Sequence, residues 1–128
     1  MPAALVTSFI TAIDDGDLER ALSLLADDCE YDNVPMGKVI GRDAVRNVLE
    51  PFLDRFDETH WPVHHQVSTG TLDDGVVMNE RTDRFRSGES WMELPVAGLF
   101  LVRHGKISLW RDYFDRDTMI RVFTATAA

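Results

Sequence analysis

Two stretches of the chain carry side chains suited to moving protons. Residues two apart on a strand project to one face, so Val77, Asn79, Arg81, Asp83 and Phe85 share a side and Arg81 neighbours Asp83. Further on, Trp110, Asp112 and Phe114 share a side while Arg111 and Tyr113 face the other way. Asp112 thus stands between two large aromatic rings. A carboxylate in such surroundings is either paired or protonated, because burying it charged and alone is costly. Arg81 is the obvious partner. If both strands face one cavity, its guanidinium fork can hold Asp83 and Asp112 at once and leave them in different protonation states.

The bland alternative is a solvated ladder pair, the usual fate of Arg-x-Asp on a strand, worth ~0–1 kcal/mol. The opposite face, Val76, Met78, Glu80, Thr82 and Arg84, is just as mixed, so alternation leaves open which side is inside. Tyr31 and Asn33 also share a face and carry a hydroxyl and an amide suited to holding water; a strand-end Tyr before an Asn turn would look the same. Adjacent His64 and His65 project oppositely and cannot share a metal, and His60 and His104 fall in expected loops. No C-x-x-C, H-E-x-x-H, dinucleotide or P-loop pattern occurs, and neither Cys29 nor any serine lies in a G-x-S-x-G elbow. The expected chemistry uses acids, bases and oriented water, with no cofactor and no metal.

These residues need a frame. Leu5, Val6, Phe9, Ile10 and Ile13 recur at helical spacing, Asp14-Asp15-Gly16-Asp17 breaks the run, and Leu18, Ala21, Leu22 and Leu25 resume it. Asp17 is the expected cap of the second helix. A brief strand is expected over 30–34, entered through Asp27-Asp28. A third helix carries the stripe Ala44, Val45, Val48, Leu49, Phe52, Leu53 and Phe56, with a kink or fray at Pro51. Turn residues at 72–75, 87–89 and 103–106 then divide the rest into four antiparallel strands, near 63–70, 76–86, 91–103 and 106–114, with a short helix after Asp117. Helices followed by a meander predict an α+β domain, its helices on one face of a curved sheet.

The chain's 128 residues, 45% of them apolar, suit a single domain over 1–128. Twenty-two acidic against thirteen basic side chains give a net charge of −9, which disfavours nucleic acid and anionic membranes as partners. One cysteine cannot build a disulfide framework, and the first residues lack the pattern of a signal peptide. A cytoplasmic location is expected.

Tyr31-Asp32-Asn33, Gly41-Arg42-Asp43-Ala44-Val45, Asn79-Glu80-Arg81-Thr82-Asp83, Gly105-Lys106-Ile107 and Trp110-Arg111-Asp112-Tyr113-Phe114-Asp115 together resemble the limonene-1,2-epoxide hydrolase family. The likeness runs through nearly the whole chain. The Glu-Arg-x-Asp strand and the final motif are its specific parts; the layout alone fits any SnoaL-like, nuclear transport factor 2-like or ketosteroid isomerase-like domain. The resemblance implies a cone-shaped α+β roll around a deep apolar pocket, and one-step hydrolysis of an epoxide. It assigns Asp112 as base, Tyr31 and Asn33 as holders of the attacking water, Asp83 as acid and Arg81 as the bridge. Phe85, Leu94, Val96, Trp110, Phe114 and Met119 would line the pocket for a small apolar epoxide, in a homodimer joined through the sheet. Two competing readings stay open: a ketosteroid isomerase-like or polyketide cyclase-like proton-transfer enzyme, and a non-catalytic ligand-binding module of the same fold.

Overall fold

The computed structural model describes residues 1–126. Pro2 fits the first turn of α1 (Pro2–Asp14), where a missing N–H costs nothing, and Val6, Phe9, Ile10 and Ile13 form its buried stripe. Asp17 caps α2 (Leu18–Ser23) as expected, accepting from the Arg20 N–H at 3.1 Å.

The first strand departs from expectation. β1 (Leu25–Asn33) begins five residues earlier than read from the sequence and ends before Val34. Its early half is irregular, with the register against its neighbour shifting between Leu25 and Glu30, and exposed Asp27 and Asp28 occupy that stretch. Charged residues at a register shift hide a strand from pattern reading. β2 (Gly37–Ile40) was not expected; it folds back antiparallel on β1 and is too short to alternate visibly. α3 (Arg42–Leu53) stops short of Phe56, ending two residues after Pro51, which has no N–H to return to the Asn47 carbonyl.

The chain then makes β3 (Glu58–His60), β4 (Val63–Gly70), β5 (Asp74–Ser87), β6 (Ser90–Arg103) and β7 (Lys106–Tyr113), followed by α4 (Arg116–Thr126). The four meander strands lie within two residues of their expected bounds, and the last helix starts two residues early. β3 is the second unexpected strand, and it places His60 in the sheet rather than in a loop. His104, by contrast, does sit in a turn: with φ of 52° at His104 and 76° at Gly105, the pair makes the tight two-residue hairpin joining β6 to β7.

The sheet runs β2-β1-β7-β6-β5-β3, with β4 also paired to β5, so β3 and β4 share one edge of that strand. Only β1 and β7 run parallel; the other pairs among the described strands are antiparallel. That parallel insertion brings Tyr31 opposite Trp110 and Asn33 opposite Asp112. The sheet is curved and unclosed, and its concave side holds the core. Phe9 of α1 packs edge-on to Phe100 and Trp110, while Phe52 of α3 and Phe123 of α4 meet Phe85 of β5. Among the described residues no helix is long and apolar enough to cross a membrane.

Candidate active site

Alternation along β5 left the inner face undecided, and the fold decides it. Val77, Asn79, Arg81, Asp83 and Phe85 point into the core, while Met78 and Glu80 stand on the outer face. β6 lies between β5 and β7, and its Gly98 is paired with Asn79 on one side and Asp112 on the other. A side chain at Gly98 would put a Cβ 2.5 Å from Arg81 Nη1, so the missing side chain is what leaves room for the guanidinium to reach across β6.

Arg81 uses that room fully. Its Nε donates to Asp83 Oδ1 at 2.7 Å, its Nη2 to Asp112 Oδ2 at 2.7 Å and to Asp83 Oδ2 at 3.3 Å, and its Nη1 to Asn79 Oδ1 at 3.2 Å. Asn79 is itself held by donating to Gln66 Oε1 at 3.2 Å. The other oxygen of Asp112 accepts from Trp110 Nε1 at 3.0 Å. Arg81, Asp83 and Asp112 are 1%, 5% and 3% exposed. Tyr31 stacks on the Trp110 ring at 3.9 Å between centroids, which fixes the phenol beside the strand that carries Asp112.

Burial governs the protonation of this set. One guanidinium and two carboxylates carry a net negative charge when all are ionised, and a single proton makes the group neutral. Desolvation pushes Asp83 from the ordinary carboxylate value up to about 7, against the attraction of Arg81 and with further upward push from Asp112. Desolvation likewise raises Asp112, opposed by Arg81 and by the Trp110 N–H. Burial alone would lower the pKa of Arg81, but the two carboxylates outweigh it and keep the guanidinium charged. Burial, then the charge of Asp112, raises the Tyr31 phenol, which stays protonated as a hydrogen-bond donor.

The two carboxylates open onto a cavity of about 260 Å³. Of the residues expected from the sequence, Tyr31, Asn33, Asp83, Phe85, Leu94, Val96, Asp112, Phe114 and Met119 line it. Arg81 lies beneath that lining, and so does Trp110, which corrects its expected place in the wall: fully buried, it braces Asp112 and Tyr31 from behind. Sequence reading missed Met36, Trp61 and Phe123 of the wall, and it placed Val48, Leu49 and Phe52 only on an apolar helix stripe. Periodicity marks a helix face as apolar whether it meets core or cavity. It also passed over Gly98, although a glycine inside a strand is the usual mark of a close approach.

The chain matches the limonene-1,2-epoxide hydrolase catalytic domain over residues 1–125. It belongs to the limonene-1,2-epoxide hydrolase family. Epoxide hydrolase EphG of Mycobacterium tuberculosis is 31% identical over 112 residues, 86% of this chain and 70% of that protein. A solved structure of a limonene-epoxide-hydrolase-like epoxide hydrolase from M. tuberculosis superposes with a TM-score of 0.77 at 28% identity, covering 97% of this chain and 92% of that one. A polyketide cyclase-like protein of Xanthomonas campestris pv. campestris shares the fold, with a TM-score of 0.71 at 21% identity over 94% of each chain. Membership in the family makes this chain an epoxide hydrolase.

Proposed function

We propose that residues 1–128 form one catalytic domain that adds water directly to a small apolar epoxide, giving a vicinal diol without a metal or cofactor. The buried Asp83–Arg81–Asp112 set at the floor of an apolar cavity carries this reading. Opening an epoxide releases ring strain but leaves an alkoxide, so the oxygen needs a proton as the C–O bond breaks. Water is a weak nucleophile and must lose a proton as it attacks, which calls for an ionised base on the other side.

Asp112 is that base. Held by Arg81 and Trp110, it takes a proton from a water positioned by the Tyr31 hydroxyl and the Asn33 amide; the water oxygen bonds to one epoxide carbon as its C–O bond breaks. Asp83, whose proton burial holds up to about pH 7, delivers that proton to the departing oxygen. The charges then sit reversed on the two acids, and one proton must pass from Asp112 to Asp83 before the next turnover. Because both acids grip one guanidinium, they titrate as a pair. A ketosteroid isomerase-like enolate reaction suits the set poorly, since it calls for neutral donors where this site has a charged guanidinium.

The reading includes a cytoplasmic homodimer joined through the outer face of the sheet. Val67 and Met78, paired across β4 and β5, are exposed large apolar residues on that face, and a second copy seated there would cover them. Sedimentation at micromolar concentration is expected to give twice the 14.5 kDa chain mass; a monomer would remove the dimer from the proposal.

Single-turnover hydrolysis of apolar epoxides in oxygen-18 water tests the chemistry. The label is expected in the diol and absent from the carboxylates of Asp83 and Asp112. Label in either side chain would mean an ester intermediate and would refute direct attack by water.

A further inference from the structure

Trp61 lies in the two-residue crossing between β3 and β4. Register fixes where that crossing runs: His60 is paired with Arg84 and Val63 with Arg81, so Trp61 passes alongside the Thr82–Asp83 stretch of β5. The residue is pinned from behind. Its backbone N–H donates to Asp14 Oδ1 at 2.9 Å, and the other oxygen of Asp14 lies 3.4 Å from His60 Nδ1. Its ring packs 5.4 Å from the Arg81 guanidinium carbon and 6.0 Å from the Phe85 ring, and it lines the cavity with Asp83 and Phe85.

Against this ordered backing, one atom is left unsatisfied. The residue is 4% exposed, and its indole Nε1 has no hydrogen-bond partner. Buried indole N–H groups almost always find an acceptor, since leaving one without costs free energy. The other buried indole of the site, Trp110, does have its acceptor in Asp112. Of the carboxylates that line the cavity with Trp61, both Asp83 and Asp112 are taken by Arg81. An oxygen seated in the cavity beside Asp83 would meet this need.

We infer that the Trp61 indole N–H is a second donor to the substrate oxygen that Asp83 protonates. It stabilises the alkoxide as it forms, and it orients the epoxide so that the ring oxygen faces the acid and the ring carbons face Asn33 and Asp112. This role rests on the general-acid reading of Asp83. A donor aimed where negative charge develops acts mainly on the transition state, so kcat depends on it more than KM. Asp14 is by the same account a positioning residue for Trp61, and its charge also adds to the upward push on Asp83.

Trp61→Phe keeps an aromatic ring and removes the N–H. With cyclohexene oxide, kcat is expected to fall about tenfold or more, with KM changed less than twofold. The second readout is made on the wild-type protein and needs no variant. Its three tryptophans give three indole N–H resonances, and that of Trp61 is expected to shift downfield when cyclohexane-1,2-diol is added and to stay in place with cyclohexane. Wild-type kcat in Trp61→Phe, or a Trp61 resonance blind to the diol, would overturn the assignment. Full activity in Asp83→Asn would instead remove the acid, and the diol titration would still decide the Trp61 donor.

Discussion

The sheet holds two guanidinium clusters back to back, each with two carboxylates. On the inner face Arg81 grips Asp83 and Asp112. On the outer face Arg111, the residue next to Asp112, donates from Nε to Asp32 at 2.9 Å and from Nη2 to Glu30 at 3.2 Å. Each joins one arginine to two acids at similar distances, with Lys38 also 3.6 Å from Glu30 on the outer face, and the main difference is depth. The side chains of the outer set are 29%, 19% and 25% exposed, those of the inner set 0%, 7% and 5%. In the single chain water screens the outer charges and leaves a surface ladder of small net worth. Inside, desolvation opposes ionisation of both carboxylates and holds a proton that chemistry can use. Depth, rather than an Arg with two acids, decides whether the carboxyls keep a proton.

The comparison breaks hardest at the two arginines. Arg81→Met removes the cation from two buried carboxylates and is expected to cost about 3–5 kcal/mol of stability, with turnover lost. Urea denaturation and epoxide hydrolysis measure both; a stable, active Arg81→Met protein would mean the inner set behaves like the outer one. Next come the acids. Asp83→Asn and Asp112→Asn are each expected to lower kcat by about 10²–10⁴-fold with the fold kept, whereas Asp32→Asn on the outer face leaves kcat unchanged. Substantial activity in either inner variant would refute its role.

Titration sharpens the same contrast. Burial raises Asp83 above its unfolded value, so the folded protein binds that proton more tightly than the unfolded chain. The resulting stability is complete below about pH 4 and is lost as pH rises through about 7, with Asp112 adding the same sign. Denaturation midpoints between these limits are expected to fall with pH in the wild type and more shallowly in Asp83→Asn. Turnover should decline above about pH 7 as the proton donor ionises. A smaller loss is expected from Gly98→Ala, about 1–3 kcal/mol of stability from crowding, with a drop in kcat as Arg81 is pushed off its partners. Unchanged kinetics would show that the guanidinium tolerates displacement. Smallest of all, Arg111→Met is expected to cost under about 1 kcal/mol.

Much of the site was legible because strand parity is a local rule. Arg81 beside Asp83, and Asp112 between Trp110 and Phe114, follow from a period of two wherever the strands lie. The meander was legible too, since its turns are spelled in Asp, Gly, His and Lys. β2 and β3 were not: each is three or four residues long, too short for alternation to show, and β3 makes its hydrogen bonds with β5, far away in the chain. Trp110 was assigned to the cavity wall because an aromatic on the inner face reads alike whether it meets ligand or packs behind a carboxylate. Gly98 and Trp61 both meet Arg81, 17 and 20 positions away, and no local pattern announces such pairs.

The amino-acid sequence alone determined which side chains share a strand face, where the tight turns fall, the acidic balance of the surface and the likeness to an epoxide hydrolase family. Each of these depends on near neighbours or on composition. Only the tertiary structure decided which face of β5 is buried, that β1 enters parallel beside β7 to bring Asn33 opposite Asp112, and that one arginine reaches both acids over a glycine. Those outcomes depend on helices covering one side of a curved sheet. Burial is a property of the packed whole, and burial is what lifts both aspartates above the ordinary carboxylate range.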